Sequence, residues 1–392
     1  METTAKTLRP SPALAWTTRA FVALWCLIAA FPLFWIAVMS FKLPVDAFSA
    51  NPLAVIFGPA TRTTGQGLSV LDLALGIASL AAIWHLATRR LGAAIERIAP
   101  EPWLPVGWLV GGIAFGAACL AWLAIALPAL AGAAGGALAP VPLLGLLAEP
   151  VIGLTLAHYR NVWVDQAFYR NFVNSLIVTG GVVTISLTVG TLAGYALART
   201  RSSLAYWILI SALIFRALPH SVLVSGYLPP FVNSAEWLRP ILGDAAPTLY
   251  GQPLAVILVL VAINQPFTIW MLRSFFMNVP AELDEAARVD GCSHFEAFWR
   301  VIMPVMWPGV ITTGLFSFLL AYNDFLVTSL LLDAQSQTMV PAIAGFFNRE
   351  TTTTDQVRAV AAAVSITAPL FLLVMVFQRQ IVSGLTAGAV KG

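Results

Sequence analysis

The chain has 392 residues, of which 59% are hydrophobic and only 10% are charged, and its mean hydropathy is +0.84. Soluble domains carry about 25% charged residues, so this composition excludes an ordinary soluble protein. The net charge of +3 is too small to indicate nucleic acid as a partner, and the three cysteines imply no disulfide framework. A bilayer crossing by a helix needs roughly 20 apolar residues, and a β-barrel would instead show alternating segments of ~10 residues. We therefore predict an all-α polytopic membrane protein.

The first apolar run, residues 20–40, follows a short tail that contains Lys6, Arg9 and Arg19. A signal peptide is the alternative interpretation, because basic residues precede the run. However, the run is longer than a signal core of about 7–15 residues, and no small-residue cleavage site follows it. We therefore predict an uncleaved transmembrane helix.

Seven further apolar runs follow, which predicts about eight transmembrane helices in total. Residues 41–67 are polar and rich in Gly, Pro and Thr, so they predict a loop. Residues 132–153 are interrupted by three prolines and are predicted to be interfacial or re-entrant. Residues 154–172 are polar and aromatic and belong outside the bilayer core. The seven runs are 68–87, 106–131, 173–198, 204–230, 254–277, 305–332 and 358–381.

The distribution of lysine and arginine orients these spans. With the N-terminus inside, the cytoplasmic segments contain 13 of the 21 basic residues and the outer loops contain 7, while Arg216 lies within the fifth span. Basic residues are enriched on the cytoplasmic side of membrane proteins. We therefore predict that both termini are cytoplasmic.

A charged segment, Pro280–Pro304, separates two apolar runs and lies on the predicted cytoplasmic side. Its first half predicts a helix with Pro280 in the first turn, because acidic residues and proline are both favoured there. We expect this helix to run to about Asp290 and to stop at Gly291, since glycine readily adopts the left-handed conformation at a helix end. The segment contains five of the chain's 18 acidic residues, which are Glu282, Asp284, Glu285, Asp290 and Glu296.

The second half of the segment predicts another helix. Ser293 followed three residues later by Glu296 is a capping box. The spacing of Phe295, Phe298, Trp299 and Ile302 predicts one apolar stripe, and Pro304 is expected to end the helix. An amphipathic helix resting on the membrane is the alternative, but such helices usually carry Lys and Arg. The net acidic charge therefore favours a protein partner.

The charged segment resembles the EAA loop of permease subunits in binding-protein-dependent ABC importers. The match consists of Glu285-Ala286-Ala287, then Gly291 after three residues, then Val301-Ile302-Met303-Pro304 after nine more. The resemblance covers residues 20–45 and about 154–392, and it is strongest to carbohydrate permeases similar to the smaller, G-type maltose permease subunit. The further matching segments are Thr155–Asn161, Asn174-Ser175, Arg216 with Pro219, Pro266–Phe276, Tyr322–Phe325 and Gln378–Gly392.

The resemblance implies a six-helix core of the type I ABC importer kind in the bacterial inner (plasma) membrane. It also implies a second permease subunit, two cytoplasmic ATPases that hold ATP and Mg, and an external sugar-binding protein. Residues 46–153 form an insertion relative to the six-helix core, and this insertion resembles that of longer α-glucoside permeases. The transported sugar would therefore be a disaccharide or another α-glucoside. The implied organisation is 1–45 (tail and first helix), 46–153 (insertion with two extra helices), 154–383 (permease core) and 384–392 (cytoplasmic tail).

The same resemblance implies that the loop is a coupling element that docks on an ATPase. The residues expected to carry this coupling are Glu282, Glu285, Ala286, Ala287, Asp290, Gly291, Phe295, Phe298 and Pro304.

Polar residues within apolar runs are the candidates for a transport pathway. Asn323 and Asp324 are expected in the middle of a span, where a carboxylate is costly and faces a cavity or a partner. They either hydrogen-bond sugar hydroxyls or gate the pathway, or else they bind the second permease through helix–helix hydrogen bonds. A second cluster, Asn264-Gln265-Pro266, breaks the sixth span, either to line a transport site or only to bend the helix. The predicted pathway residues are Arg216, Asn264, Gln265, Tyr322, Asn323 and Asp324.

Other functions lack the residues that they require. None of the three lysines stands in a Gly-Lys-Ser/Thr phosphate loop, so we expect no ATP hydrolysis and no bound cofactor in this chain. The histidines have no ligand-like spacing, so no metal is predicted. An intramembrane enzyme would need a motif such as HExxH or GxSxG. An ion-coupled secondary transporter is the main alternative, but Asp324 is its single deep carboxylate and it leaves the acidic segment unexplained.

Overall fold

A computed structural model describes residues 12–64, 67–98, 104–138, 140–141, 146–200, 202–218, 220–347 and 352–389. These residues are mainly helical, with one two-stranded antiparallel sheet. The predicted all-α polytopic class is confirmed. Among the described residues, six helices are long and apolar enough to cross a bilayer, namely Ala13–Ser40, Val70–Ile95, Tyr169–Arg199, Pro253–Phe276, His294–Tyr322 and Thr353–Gln378.

Short helices and two strands accompany the first three predicted spans. The helices are α1 (Pro12–Ser40), α2 (Pro44–Ala47), α3 (Pro52–Phe57), α4 (Pro59–Arg62), α5 (Val70–Leu86), α6 (Gly92–Ile98), α7 (Leu104–Ala121), α8 (Leu127–Leu138) and α9 (Ala157–Arg160). The strands are β1 (Gly67–Ser69) and β2 (Pro150–Gly153). Single π-helical turns join α5 to α6 at Ala87–Leu91, join α7 to α8 at Trp122–Ala126, and follow α9 at Asn161–Asp165.

The rest of the chain continues with eleven described helices. They are α10 (Tyr169–Arg199), α11 (Ser203–Arg216), α12 (His220–Val232), α13 (Ser234–Leu242), α14 (Pro253–Phe276), α15 (Glu282–Val289), α16 (His294–Ala297), α17 (Met303–Tyr322), α18 (Leu326–Leu331), α19 (Met339–Gly345) and α20 (Thr353–Ala389). A π-helical turn, Phe298–Ile302, joins α16 to α17.

Three of the eight predicted spans are assembled from shorter helices, and the seventh, 305–332, consists of α17 and α18. The third predicted span, 106–131, lies in α7, the π turn and α8. The fifth, 204–230, is divided into α11 and α12, and the division falls just before Pro219. A proline disfavours the helical conformation of the residue before it, which accounts for this division.

The chain divides into two units, and the larger one contains the helix bundle of α10, α14 and α17. Small residues allow these helices to approach closely. A Cβ atom at Gly190 would lie 2.6 Å from the Thr268 methyl group, and one at Gly194 would lie 3.0 Å from the Arg273 backbone nitrogen. In lipid, helices associate through this kind of close packing rather than through a hydrophobic driving force. The glycines of α10 therefore fix its position against α14.

The smaller unit contains an ordered cap formed by the end of α1, the helices α2–α4, the sheet and α9. The prediction of a loop over 41–67 was wrong, because buried polar contacts order this segment. The Asp46 carboxylate accepts hydrogen bonds from the Thr61 backbone nitrogen at 2.6 Å and from the Thr61 hydroxyl at 2.7 Å. The buried Lys42 ammonium donates to the Gly153 carbonyl. Burial lowers the pKa of Lys42, and the Asp46 charge opposes that shift.

His158 closes the same cap from α9. Its Nε2 lies 3.0 Å from the Lys42 carbonyl oxygen, so the neutral ring carries its proton on Nε2 and donates. Burial lowers the pKa of His158, the hydrogen bond to Lys42 raises it, and the Arg358 charge lowers it. This imidazole is therefore held in its neutral form at neutral pH.

The sheet brings together the chain segments that precede α5 and follow α8. Leu68 in β1 lies opposite Ile152 in β2, and Gly67 lies opposite Gly153. Residues 132–153, which were predicted to be interfacial or re-entrant, contain the end of α8 and then β2, while 139 and 142–145 lie outside the described residues. The chain therefore leaves the cap at β1, forms α5–α8, and returns to it at β2.

Candidate functional site

The first helix of the charged segment ends in a complete Schellman motif. Helix α15 covers Glu282–Val289, and Gly291 follows it with φ +91°. The Gly291 amide donates to the Arg288 carbonyl at 3.1 Å, and the Cys292 amide donates to the Ala287 carbonyl at 3.0 Å. These bonds satisfy carbonyl groups that a helix end leaves open. The predicted helix and its stop at Gly291 are confirmed, except that Pro280 precedes the first turn.

The second helix begins with the predicted capping box. The Ser293 hydroxyl accepts from the Glu296 amide at 3.3 Å, and the Glu296 carboxylate accepts from the Ser293 amide at 3.0 Å. The expectation that Pro304 ends this helix was wrong. The chain continues from α16 through the π turn into α17, with Pro304 in the first turn of α17. A π turn widens the helix by one residue, which accommodates a proline that lacks an N–H group.

Asp284 anchors α15 to the end of α10. Its carboxylate accepts from the Tyr195 hydroxyl at 2.6 Å and from Arg199 Nε at 2.7 Å. Arg199 also donates to the Val279 carbonyl at 3.1 Å. Ala287, one turn further along α15, is 4% exposed. Because residues three apart share a helix face, Asp284 and Ala287 together form the inward face of α15.

The outward face of α15 is both acidic and apolar. Glu282, Glu285, Ala286 and Asp290 are exposed, and Val289 is 87% exposed. The structure thus separates the predicted coupling residues of α15 into an exposed group and the buried Ala287.

The predicted apolar stripe of the second helix is split between two environments, so the expectation of one continuous face was wrong. Phe298 and Ile302 are buried in an apolar cluster with Leu272 and Phe276 of α14. Phe295 and Trp299 are 66% and 59% exposed. The Tyr195 ring lies 4.9 Å from that of Phe298, so the same tyrosine that binds Asp284 also packs on the second helix. Exposed aromatic side chains of this size suit contact with a partner protein or with the membrane surface.

Asn323 and Asp324 form a helix break, and the expectation that they lie within a continuous span was wrong. Helix α17 ends at Tyr322, and α18 begins at Leu326. The Asp324 carboxylate accepts from the amides of Val327 and Thr328 at 3.1 and 3.0 Å, so it caps α18. Mean hydropathy does not predict this break, because the sequence is apolar on both sides of it. The cap depends on a single carboxylate, which hardly changes the mean hydropathy.

A cavity of about 290 Å³ lies at this break and includes both polar side chains. Leu260 and Ile263 of α14 form its opposite wall. Irregular backbone at membrane depth is tolerated where it lines a cavity or is buried in protein. Asn323 is exposed and Asp324 is partly exposed, so both are available to a molecule in the cavity.

The other predicted pathway residues are more enclosed. Asn264 is 1% exposed and donates to the Ser317 hydroxyl at 2.7 Å, which joins α14 to α17. Gln265 donates to the Ser186 carbonyl at 3.4 Å, and its buried Oε1 has no hydrogen-bond partner among the described residues. Tyr322 is 2% exposed and donates to the Ile366 carbonyl at 2.9 Å. Asn264 and Tyr322 therefore serve contacts between helices in this conformation.

Arg216 lies at the end of α11, against the ring of Phe267. Its guanidinium carbon is 4.9 Å from the ring centroid, a cation–π contact with α14. Its buried Nε has no hydrogen-bond partner among the described residues. Over the same residues, His, Cys, Asp and Glu form no group of three or more that could hold a metal ion.

The contact of Asp284 with Tyr195 and Arg199 is a feature of the charged segment that the sequence did not indicate. Tyr195 and Arg199 are 89 and 85 positions away from Asp284 in the chain. The spacing of Asp284 and Ala287 on one face of α15 was the available signal, but it does not identify the partner.

The described residues combine helices long and apolar enough to cross a bilayer, a polar break between α17 and α18, and an exposed acidic helix pair. Residues 186–386 match the sequence profile of the binding-protein-dependent transport system inner membrane component. The chain is similar to the diacetylchitobiose uptake system permease protein DasC of Streptomyces coelicolor, with 35% identity over 61% of this chain and 82% of the relative. It is also similar to the trehalose/maltose transport system permease protein MalG of Thermococcus litoralis, with 32% identity over 61% and 82%.

A solved structure gives a weaker likeness. A bacterial ABC transporter involved in the import of alginate is 19% identical, covers 59% of this chain and 81% of its own, and has a TM-score of 0.46.

The chain belongs to the family of inner membrane components of binding-protein-dependent transport systems, and it is a carbohydrate ABC importer permease. It is accordingly a multi-pass protein of the inner membrane and is not itself catalytic.

Proposed function

We propose that this chain is one of two permease subunits of an ATP-driven importer of disaccharides or other α-glucosides. We further propose that α15 and α16 receive the movement of a cytoplasmic ATPase, with ATP and Mg bound on that partner. The observation that carries the proposal is the division of α15 into an inward face fixed by Asp284 and an outward face that carries Glu285 and Val289.

Two rigid connections would carry force from this segment into the membrane. Asp284 ties α15 to the last turn of α10 through Tyr195 and Arg199. The π turn joins α16 to α17 without a break, so a displacement of α16 moves α17 with it. Since α17 ends at Tyr322, the displacement would reach the helix break at Asn323 and Asp324.

The exposed residues describe the chemistry of the ATPase partner. Glu282, Glu285 and Asp290 favour a basic rim, and Val289 and Phe295 favour an apolar cleft. The small side chain of Ala286 allows the ATPase to approach the backbone of α15 closely. Buried aromatic anchors surrounded by a polar rim are the usual anatomy of a protein interface.

A second permease and an external binding protein complete the proposed assembly. Large apolar side chains of α1, including Trp16 at 70% and Trp25 at 56%, are exposed and suit contact with lipid or with a second permease subunit. The family is defined by dependence on a binding protein, which supports such a partner outside the membrane. The excess of Lys and Arg on the side of the charged segment supports cytoplasmic termini and a cytoplasmic ATPase.

The substrate class rests on the relatives and on the cavity. The two relatives named above are permeases of a diacetylchitobiose and of a trehalose/maltose transport system, and all three sugars are disaccharides. In this chain, the Asn323 amide and the Asp324 carboxylate offer hydrogen-bonding groups, and Phe325, which is 47% exposed, offers an apolar ring. We propose that these three residues contact the sugar on its path, with Arg216 and Gln265 as further polar groups.

Purification of the tagged chain from its native membrane tests this function. We expect a second permease and an ATPase to co-purify in fixed stoichiometry. Val289→Asp should release the ATPase, because it places a charge at the centre of the docking face. Val45→Asp is the matched control, since Val45 is 75% exposed in the cap. Retention of the ATPase by the Val289 variant, or its absence from the unaltered complex, would refute the proposal.

A further inference from the structure

The inserted helices enclose an apolar groove that the transport function does not use. The groove has a volume of about 530 Å³ and lies between α5 on one side and α7, the Trp122–Ala126 turn and α8 on the other. Its one described polar contact is internal, because Trp122 Nε1 donates to the Ser79 hydroxyl at 3.1 Å. The remaining wall is aliphatic or aromatic apart from Cys119. This surface has no hydrogen-bonding requirement and fits a hydrocarbon chain.

The length of the groove matches one leaflet of a bilayer. Along α5 it extends from Leu75 to Leu86, which at 1.5 Å per residue is about 16 Å. Half of the ~30 Å hydrocarbon core is about 15 Å. An acyl chain from one leaflet would therefore occupy the groove from end to end.

Three arginines lie beyond the Leu86 end of the groove. Arg89 and Arg90 follow Leu86 by three and four residues, about 5 Å along the axis, and both are exposed. Arg97 on α6 is also exposed. Glu96 is the one acidic residue in the sequence from Thr88 to Ile98, so the segment carries a net charge of +2.

The local backbone and an aromatic residue support a membrane-interface position for these arginines. The π turn Ala87–Leu91 contains Arg89 and Arg90, and such turns often occur at functional sites. Trp84, one turn before the arginines, is 69% exposed. Tryptophan is enriched at the headgroup level of membranes, and guanidinium groups bind phosphate through paired hydrogen bonds.

The glycine face of α7 packs against the last span, α20, beside the groove. A Cβ atom at Gly112 or Gly116 would collide with Val376 or Leu372 of α20, so the helices are in close contact there. Phe115 and Cys119 of the same helix line the groove. The residues that line the groove belong to α5, α7, the Trp122–Ala126 turn and α8, so its described wall contains no residue of α20.

We propose that the inserted helices bind one anionic phospholipid, with its acyl chain in the groove and its headgroup on Arg89 and Arg90. This site is independent of the substrate pathway and of the charged segment that contains α15. The arginines select anionic over zwitterionic lipid. The apolar groove binds the acyl chain, so a headgroup without an acyl chain should not bind tightly.

Native mass spectrometry of the detergent-purified full complex tests the site. Dioleoylphosphatidylglycerol and dioleoylphosphatidylcholine are titrated separately, and we expect the anionic lipid to bind at least tenfold more tightly. Each basic residue near an anionic lipid strengthens attachment roughly fivefold. Arg89→Gln with Arg90→Gln should therefore weaken phosphatidylglycerol binding roughly 30-fold. Arg62→Gln with Arg160→Gln removes the same charge from two exposed arginines of the cap and should leave binding unchanged.

A second pair of variants tests the groove without altering charge. Ala82→Trp fills the groove and should abolish tight binding, whereas Ala81→Trp alters an adjacent exposed residue that does not line it. Glycerol 1-phosphate, which carries the phosphate without acyl chains, should not displace the lipid. Equal binding of the two lipids would overturn the proposal. So would full binding by the arginine or Ala82 variant, or displacement by glycerol phosphate at equal concentration.

Discussion

The Asp284 contact that joins α15 to α10 gives the most quantitative prediction. Asp284→Asn keeps the side-chain shape and still offers an amide oxygen to the Tyr195 hydroxyl, but it removes the charge that faces Arg199. The guanidinium of Arg199 remains enclosed, with 22% of the side chain exposed, and keeps its hydrogen bond to the Val279 carbonyl. The substitution therefore removes one charged contact and leaves the others in place.

The expected cost follows from the burial of this ion pair. A hydrogen bond to a charged group contributes about 1.5–3 kcal/mol, and breaking a fully buried pair costs about 3–5 kcal/mol. Asp284 and Arg199 retain 15% and 22% side-chain exposure, so solvent screens part of the interaction. We expect the local opening free energy of α15 to fall by about 2 kcal/mol, which is roughly a 30-fold change in the opening equilibrium.

Amide hydrogen exchange measures this opening directly. In the purified complex, the amides of 285–289 should exchange roughly 30-fold faster in Asp284→Asn, since local opening free energies set their protection. Glu285→Gln is the matched control, because Glu285 is exposed on the adjacent position of the same helix. Exposed substitutions of this kind change stability by about 0.5 kcal/mol or less. Unchanged protection in Asp284→Asn, or equal acceleration in the control, would refute the anchoring role.

Three further predictions concern the turn, the cap and the helix break. Gly291→Val should strain a backbone at φ +91° by about 1–2 kcal/mol and reduce substrate-stimulated ATP hydrolysis, while Gly243→Val, at φ +67° elsewhere in the chain, should leave stimulation intact. Burial lowers the pKa of His158, so the unfolded chain binds more protons than the folded chain below pH ~6.5. The melting temperature should therefore fall as the pH decreases through this value. His158→Gln should flatten this pH dependence, and an unchanged slope in the variant would contradict the role of His158. Asp324→Asn should preserve the cap of α18 but raise the KM for sugar uptake, whereas a wild-type KM would assign Asp324 a packing role.

Features that depend on neighbouring residues were predictable from the sequence. The stop at Gly291 and the capping box of Ser293 with Glu296 are confirmed, because each is set by bonds that span at most five residues. The short separation between the bonded residues in such motifs leaves little alternative geometry. The charged segment could therefore be divided into two helices without knowledge of its surroundings.

Features that depend on distant residues could not be obtained in this way. Periodicity grouped Phe295 with Phe298 correctly on one helix, but only the packing of α14 against it determines that Phe298 is buried and Phe295 is exposed. The contact of Asp284 with Tyr195 and Arg199 likewise requires the position of α10. A sequence pattern defines a face and not the element that covers it.

The helix break shows a different reason for failure. Hydropathy remains high on both sides of Asn323 and Asp324, so the sequence indicates one span over 305–332. The Asp324 carboxylate instead caps α18, which stabilises a local break between α17 and α18. Polar residues in an apolar run indicate a site that differs from the lipid-facing part of the helix. They do not distinguish a buried polar contact within one helix from the start of a new helix.

Photo-crosslinking from Val289 most directly tests whether the charged segment is the docking site of an ATPase. Benzoylphenylalanine placed at Val289, which is 87% exposed, should crosslink to the ATPase subunit in the assembled complex. The same group at Val45 in the cap should not. A crosslink from Val289 to the external binding protein, or the absence of any ATPase crosslink in an intact complex, would contradict the account.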